Sequence, residues 1–414
     1  MPSAAAHVDP VAGVVLALTI ILLAAKLGGD LASRVGQPAV LGELLAGVLI
    51  GNLNHLGFAG LEYLESDASI QMLAALGVLL LLFEVGLESS VGEMMRVGVA
   101  AFVVAVAGVV VPFALGWMLS AWLLPEATPY LHAFLGATLS ATSVGITARV
   151  LQDLGRSKTD EARLILGAAV VDDVFGLVIL AVVGGAIAAA DMGGAFSYSL
   201  IGSVVAKATL FLAGSLVLGV YLSPKLFNLA SKLKARGVLL ALGLAFCFFL
   251  SWLSGLVGLA PIVGAFAAGL ILEDLHFRDF LGRGERSLDE LIQPIASFLV
   301  PIFFVLMGMR IDLASFARPG ILGLSAILTL AAVAGKLVCS LAVIRPGMDR
   351  LSIGIGMVPR GEVGLIFANL GLSLKLAGKP LLDAGLYSAI VVMIILTTLM
   401  TPPALKWSLG RRKS

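Results

Sequence analysis

The sequence predicts an all-α membrane protein of thirteen transmembrane helices. They form two inverted six-helix repeats joined by a linking helix, with two discontinuous helices crossing in the interior. Three observations carry this expectation. Long apolar runs fill the chain, two Gly-centred motifs recur at one offset, and polar residues interrupt two runs at corresponding places.

The 414 residues are 59% hydrophobic and only 13% charged, against roughly 25% charged in a soluble domain. Lipid is therefore the solvent. A net charge of +1 offers no electrostatic footprint for nucleic acid. Cys247 and Cys339 lie inside apolar runs and read as small core hydrophobes, not as a disulfide or metal ligands.

A helix needs roughly 20 apolar residues to cross a bilayer. The runs place spans at 11–29, 38–52, 70–88, 98–123, 132–154, 163–188, 200–222, 236–254, 257–273, 294–310, 320–343, 351–373 and 384–405. They are too unbroken for the alternating strands of a barrel, and helices satisfy their own backbone in lipid. No Lys or Arg precedes the first run, so it lacks the positive flank of a signal peptide and stays as a helix.

With the N-terminus outside, most of the 27 Lys and Arg fall in cytoplasmic loops and the tail, including Arg156, Lys158, Lys232, Arg236, Arg345 and Arg350. Only Arg310, Arg318, Lys375 and Lys379 fall in outer loops. That asymmetry sets the N-terminus outside and the C-terminus in the cytoplasm. No soluble domain is expected after the last span, only a basic stub from Lys406. The mixed segment at 273–292 reads as an interfacial helix.

Val40-Leu41-Gly42 and Ala46-Gly47 match Ile262-Val263-Gly264 and Ala268-Gly269 at an offset of 222. Phe83, Gly86 and Glu88 match Val305, Gly308 and Arg310 at the same offset of 222. Each pair of matched spans lies seven crossings apart, an odd number, so the halves insert upside down. Inverted repeats of this kind mark secondary transporters, with ions bound near the midplane where broken helices meet. The expected divisions are 1–190 for the first repeat, 191–235 for the linking helix and 236–414 for the second repeat.

An ionisable residue in lipid is costly and needs a reason. Asp172 and Asp173 sit in the middle of the sixth span. Neighbours on a helix point about 100° apart, so both carboxylates can face one cavity. Out of water and beside each other they resist carrying two charges at once. A proton or a hard cation, which prefers oxygen ligands, relieves that conflict, and competition between the two is the chemistry of exchange. The bland alternative is a structural ion pair. Lys336 is deep in the eleventh span with no acid nearby in sequence; it requires Asp172 or Asp173 as a partner, or else snorkels to an interface.

Pro359 and Gly361 break the twelfth span, with Arg360 and Glu362 placed to balance each other or the loose helix ends. In the fifth span, Thr138, Ser140, Thr142, Ser143 and Thr147 offer hydroxyls that can cap half-helices and bind ions, or serve helix packing. Spans 5 and 12 are also seven apart. Glu43, Glu84 and His132 read as packing or interfacial residues, and Lys207, near the start of its span, as a snorkelling one.

The segments Leu41–Gly51, Phe83–Glu88, Ala141–Leu151, Val171-Asp172-Asp173-Val174, Gly335-Lys336 and Val358-Pro359-Arg360-Gly361-Glu362-Val363 resemble the monovalent cation:proton antiporter superfamily, in its electrogenic bacterial sodium/proton branch. The resemblance covers nearly the whole chain. It implies the sodium/proton antiporter fold and a homodimer in the bacterial inner membrane. The core would come from 70–188 and 294–373, and the dimerisation domain from 11–52, 236–273 and 384–405. It implies elevator-type exchange of Na⁺ or Li⁺ for H⁺ without a cofactor. Asp173 is then the principal ligand of Na⁺ and carrier of H⁺, and Asp172 the partner of Lys336. Rival readings are a K⁺/H⁺ antiporter, a passive cation pathway, and an intramembrane aspartyl protease. The protease is disfavoured because these two Asp residues are adjacent in one helix.

Overall fold

The computed structural model describes residues 10–56, 61, 63–87, 91–191, 198–233, 235, 237–257, 259, 261–272, 286–311, 313, 321–344, 347–376 and 378–411. The helices are α1 (Pro10–Arg34), α2 (Ala39–Gly51), α3 (Tyr63–Ser66), α4 (Ala68–Leu87), α5 (Val91–Leu123), α6 (Pro129–Ser140), α7 (Val144–Asp153), α8 (Asp160–Asp191), α9 (Tyr198–Ser231), α10 (Val238–Leu256), α11 (Pro261–Ile271), α12 (Leu288–Met309), α13 (Ile321–Leu337), α14 (Arg350–Gly356), α15 (Glu362–Ser373) and α16 (Ala384–Gly410). A two-residue strand pair, Lys375–Leu376 with Lys379–Pro380, separates α15 from α16. The first part of the expected interfacial helix lies outside the described residues, and Leu288–Ile292 open α12.

Local chemistry sets the ends. Proline begins α1, α6 and α11, where its missing N–H has no helical partner to lose. Asp349 accepts from Leu351 and Ser352 N–H at the start of α14, and Asp383 from Leu386 N–H at the start of α16. Among the described residues, eight helices are long and apolar enough to cross a membrane, counting Pro129–Asp153 as one; Ala39–Gly51 and Pro261–Ile271 are shorter apolar helices. Large apolar side chains on α1, α9, α10 and α13 remain exposed, as a lipid-facing surface requires.

The chain divides into two compact units, residues 1–78 with 294–313 and residues 79–293 with 314–414. In the first, α1 crosses α2 backbone to backbone at Gly28 and Gly42, and Gly47 meets Gly308. Asn52 joins α2 to the end of α12, donating to Ile311 O at 2.6 Å and accepting from Leu313 N–H at 2.8 Å. In the second, α5 packs on α6, α8 and α13, α16 packs on α13, α14, α15 and α7, and α9, α10 and α11 pack together.

The contacts group two segments differently from the expected sets. Residues 384–405, assigned to the dimerisation set, form the body of α16 and pack on helices assigned to the core. The first half of α4 and most of α12, assigned to the core, belong instead to the unit that holds α1 and α2. Hydropathy does not reveal which apolar face meets which.

The glycine contacts obey the sequence offset. A Cβ on Gly47 would meet Val305 O, and one on Gly269 would meet Phe83 O. A Cβ on Gly308 would meet Leu44 O, and one on Gly86 would meet Phe266 O. Adding 222 to one member of each contact and subtracting it from the other turns the first contact into the second. The crossing of Gly28 with Gly42 has the same counterpart in Leu250 with Gly264, and Gly77 packs on its own equivalent, Leu299.

Candidate cation site

The site lies in the second unit, where two interrupted helices meet. The chain leaves helical form at 141–143 between α6 and α7, and again at 357–361 between α14 and α15. The two breaks satisfy each other. Ser143 N–H donates to Pro359 O at 2.8 Å, and Thr147 Oγ1 donates to Gly356 O at 2.7 Å. Ser143 occupies the N-cap position of α7 without a side-chain cap bond. The hydroxyls expected as local caps thus act partly across the crossing.

Arg360 is fully buried and compensates loose helix ends. Its Nε and Nη2 both donate to Leu139 O at the carbonyl end of α6, its Nη1 to Val358 O at 2.8 Å, and Nη2 also to Ala332 O at 3.3 Å. A cation is favoured there because carbonyl dipoles leave the end of a helix negative. The side chain of Glu362 lies outside the described residues.

Beside the crossing runs α8. Lys336 Nζ on α13 lies 3.1 Å from Asp172 Oδ1 and 3.3 Å from Oδ2. The two side chains are 0% and 2% exposed, so the charges face each other without water. The Thr142 hydroxyl lies 3.4 Å from Met357 O. Asp173 is buried at the next position. The structure therefore gathers Asp172, Lys336, Thr142 and Arg360 in one region, with Asp173 and Ser143 adjacent in chain. Among the described residues no group of three His, Cys, Asp or Glu could hold a metal ion. An alkali cation here would depend on carboxylates completed by neutral oxygens.

A third wall comes from α5. A Cβ on Gly108 of α5 would sit 3.0 Å from Cys339 Sγ, 3.4 Å from Lys336 Nζ and 3.7 Å from Asp172 Oδ1. Pro112, inside α5, has no N–H, so the Gly108 carbonyl loses its helical donor. Proline inside a span was the available signal. Away from the site, Glu84 accepts from Gln152 at 3.2 Å. His132, read as interfacial, is buried with its Nδ1 2.7 Å from Ser120 Oγ.

Spanning helices, paired breaks and a charged pair sealed from water define a polytopic membrane transporter. The description "sodium/hydrogen exchanger, transmembrane" matches residues 15–409, and the chain belongs to that family. It is 39% identical over 431 aligned residues to the high-affinity Na⁺/H⁺ antiporter NhaS3 of Synechocystis sp., covering 95% of this chain and 89% of that one. It is 34% identical to the Na⁺/H⁺-K⁺ antiporter GerN of Bacillus cereus, covering 95% and 96%. A solved structure of the sodium proton antiporter MjNhaP1 from Methanocaldococcus jannaschii superposes with a TM-score of 0.65 at 16% identity, over 94% of each chain. That likeness concerns the fold.

Proposed function

We propose that this chain exchanges Na⁺, or Li⁺, for H⁺ across a bacterial inner membrane, electrogenically and by elevator-type alternating access. The observation that carries the reading is the buried Asp172–Lys336 pair, with Asp173 beside it, next to the crossing of two broken helices. Protons and the cation compete for Asp172 and Asp173. A cation held by these carboxylates, with Thr142 and Ser143 supplying neutral oxygens, releases Lys336 from Asp172. Hard oxygen ligands suit such an ion, and removing a cation from Asp172 restores the need for the ammonium.

The reciprocal glycine contacts support two repeats. With thirteen spans, equivalent helices lie seven apart, so the repeats are inverted and the two breaks come together at the midplane. In this reading α5–α8 and α13–α16 form the moving core. The helices α1, α2, α4 and α10–α12 form the scaffold of a homodimer, and α9 links the two. The N-terminus lies outside and the C-terminus in the cytoplasm.

The test is a Na⁺, Li⁺ and K⁺ panel in proteoliposomes, with and without valinomycin to clamp voltage. Na⁺ or Li⁺ should drive uphill H⁺ movement that carries charge, and Asp173→Asn should abolish it. Robust Na⁺-dependent H⁺ flux in that variant would sink the assignment. Exchange confined to K⁺ would favour K⁺/H⁺ antiport, a reading prompted by the name of GerN. Flux without uphill coupling would indicate a passive pathway.

A further inference from the structure

The helices α9 and α10 enclose a groove of about 370 Å³ away from the charged pair. Leu210, Phe211, Leu222, Phe249 and Leu253 make its walls apolar, and among the described residues Lys207 is the one ionisable residue in its lining. Lys207, Leu210, Leu222 and Phe249 are exposed, so the groove opens to the surface that faces lipid. Gly214 keeps it open midway, since a Cβ there would meet nothing within 4 Å. Gly219, a little over one turn further, is instead closed by Ile271.

An ammonium on a lipid-facing helix calls for a counter-charge. Among the described residues no carboxylate forms an ion pair with Lys207. Lys207 stands nine residues into α9, about 14 Å from the start of the helix. From Lys207 to Leu222 the groove follows about 22 Å of helix, more than one leaflet's share of a hydrocarbon core of about 30 Å. One end offers a positive charge and the rest offers a trough of acyl-chain depth.

We propose that this groove binds an anionic phospholipid, with its phosphate on Lys207 and one acyl chain along α9 and α10. Charge complementarity selects the headgroup, and the apolar walls take the chain. The bilayer supplies such a ligand at the concentration of a solvent. A second copy of the chain would have to bring a carboxylate and a matching apolar ridge to the same place.

Native mass spectrometry of the detergent-solubilised protein, titrated with phosphatidylglycerol or phosphatidylcholine, tests the site. Lys207→Gln should weaken phosphatidylglycerol binding about fivefold and leave phosphatidylcholine unchanged. Gly214→Phe fills the trough from an open position and should remove the phosphatidylglycerol site with folding intact. Lys225→Gln, on the same helix outside the groove, should keep the wild-type affinity. An unchanged affinity in Lys207→Gln or Gly214→Phe overturns the proposal. An equal loss in Lys225→Gln, which marks general surface charge, also overturns it. So does a change of oligomeric state in the two groove variants, which marks a protein occupant.

Discussion

Gly108 stands where any side chain would press on the buried pair. An added methyl group would come within 3.0 Å of Cys339 Sγ and 3.4 Å of Lys336 Nζ, closer than van der Waals contact comfortably allows. Overpacking of this sort costs about 1–3 kcal/mol. Gly108→Ala should therefore destabilise the protein by that amount in thermal unfolding in detergent. Cys339→Ala in the same chain should recover most of the loss, because it removes the nearest atom. Failure of the second substitution to relieve the first would mean that the pressure falls on Lys336 and Asp172 instead. The two kinds of residue differ in how far the sequence exposes them. Asp172, Asp173 and Lys336 announce themselves, since charge inside an apolar run has few innocent explanations. Gly108 carries no such mark among 48 glycines; its importance comes from two other helices that the sequence does not bring near it.

The half-helices α6 and α14 end inside the protein, so their last carbonyls need donors that water would otherwise provide. Arg360 supplies them to Leu139 and Val358, and also reaches the Ala332 carbonyl inside α13. A planar fork can reach several acceptors, whereas an ammonium acts as a point charge. Arg360→Gln leaves buried acceptors unpaired, each costing about 1–3 kcal/mol, and should lower stability by about 3 kcal/mol or more. Arg360→Lys should fall between Gln and wild type. Thermal unfolding in detergent checks the order, and a Gln variant as stable as wild type would remove the capping role from Arg360. The breaks themselves were legible from Pro359, Gly361 and the hydroxyl cluster around Thr142. Their joining was not, because Ser143 N–H finds its partner at Pro359 O, far away in the chain. Local capping rules see only neighbours in sequence.

Across the whole molecule, one offset of 222 residues recurs in the sequence motifs and in the glycine contacts. Apolar length located most of the helices, and the matched glycines recur at close helix contacts. Which helices share a unit was not legible, since an apolar face facing lipid reads like one facing another helix. The matched contacts have an energetic consequence. A Cβ on Gly47 would sit 2.9 Å from Gly308 Cα, and one on Gly269 2.8 Å from Gly86 Cα, each also against the backbone oxygen of the equivalent residue. Backbone cannot move aside as a side chain can, so the helices must separate. Gly47→Ala and Gly269→Ala should each cost about 1–3 kcal/mol, and by similar amounts, although they lie in different units. Gly98→Ala, whose Cβ meets nothing within 4 Å, should be neutral or stabilising by up to about 1 kcal/mol, as expected for Gly→Ala inside a helix. Thermal unfolding of the three variants decides the matter. A harmless Gly47→Ala beside a costly Gly269→Ala would show that the two crossings are not energetic equivalents, and the repeat would then be a likeness of sequence without a shared packing solution.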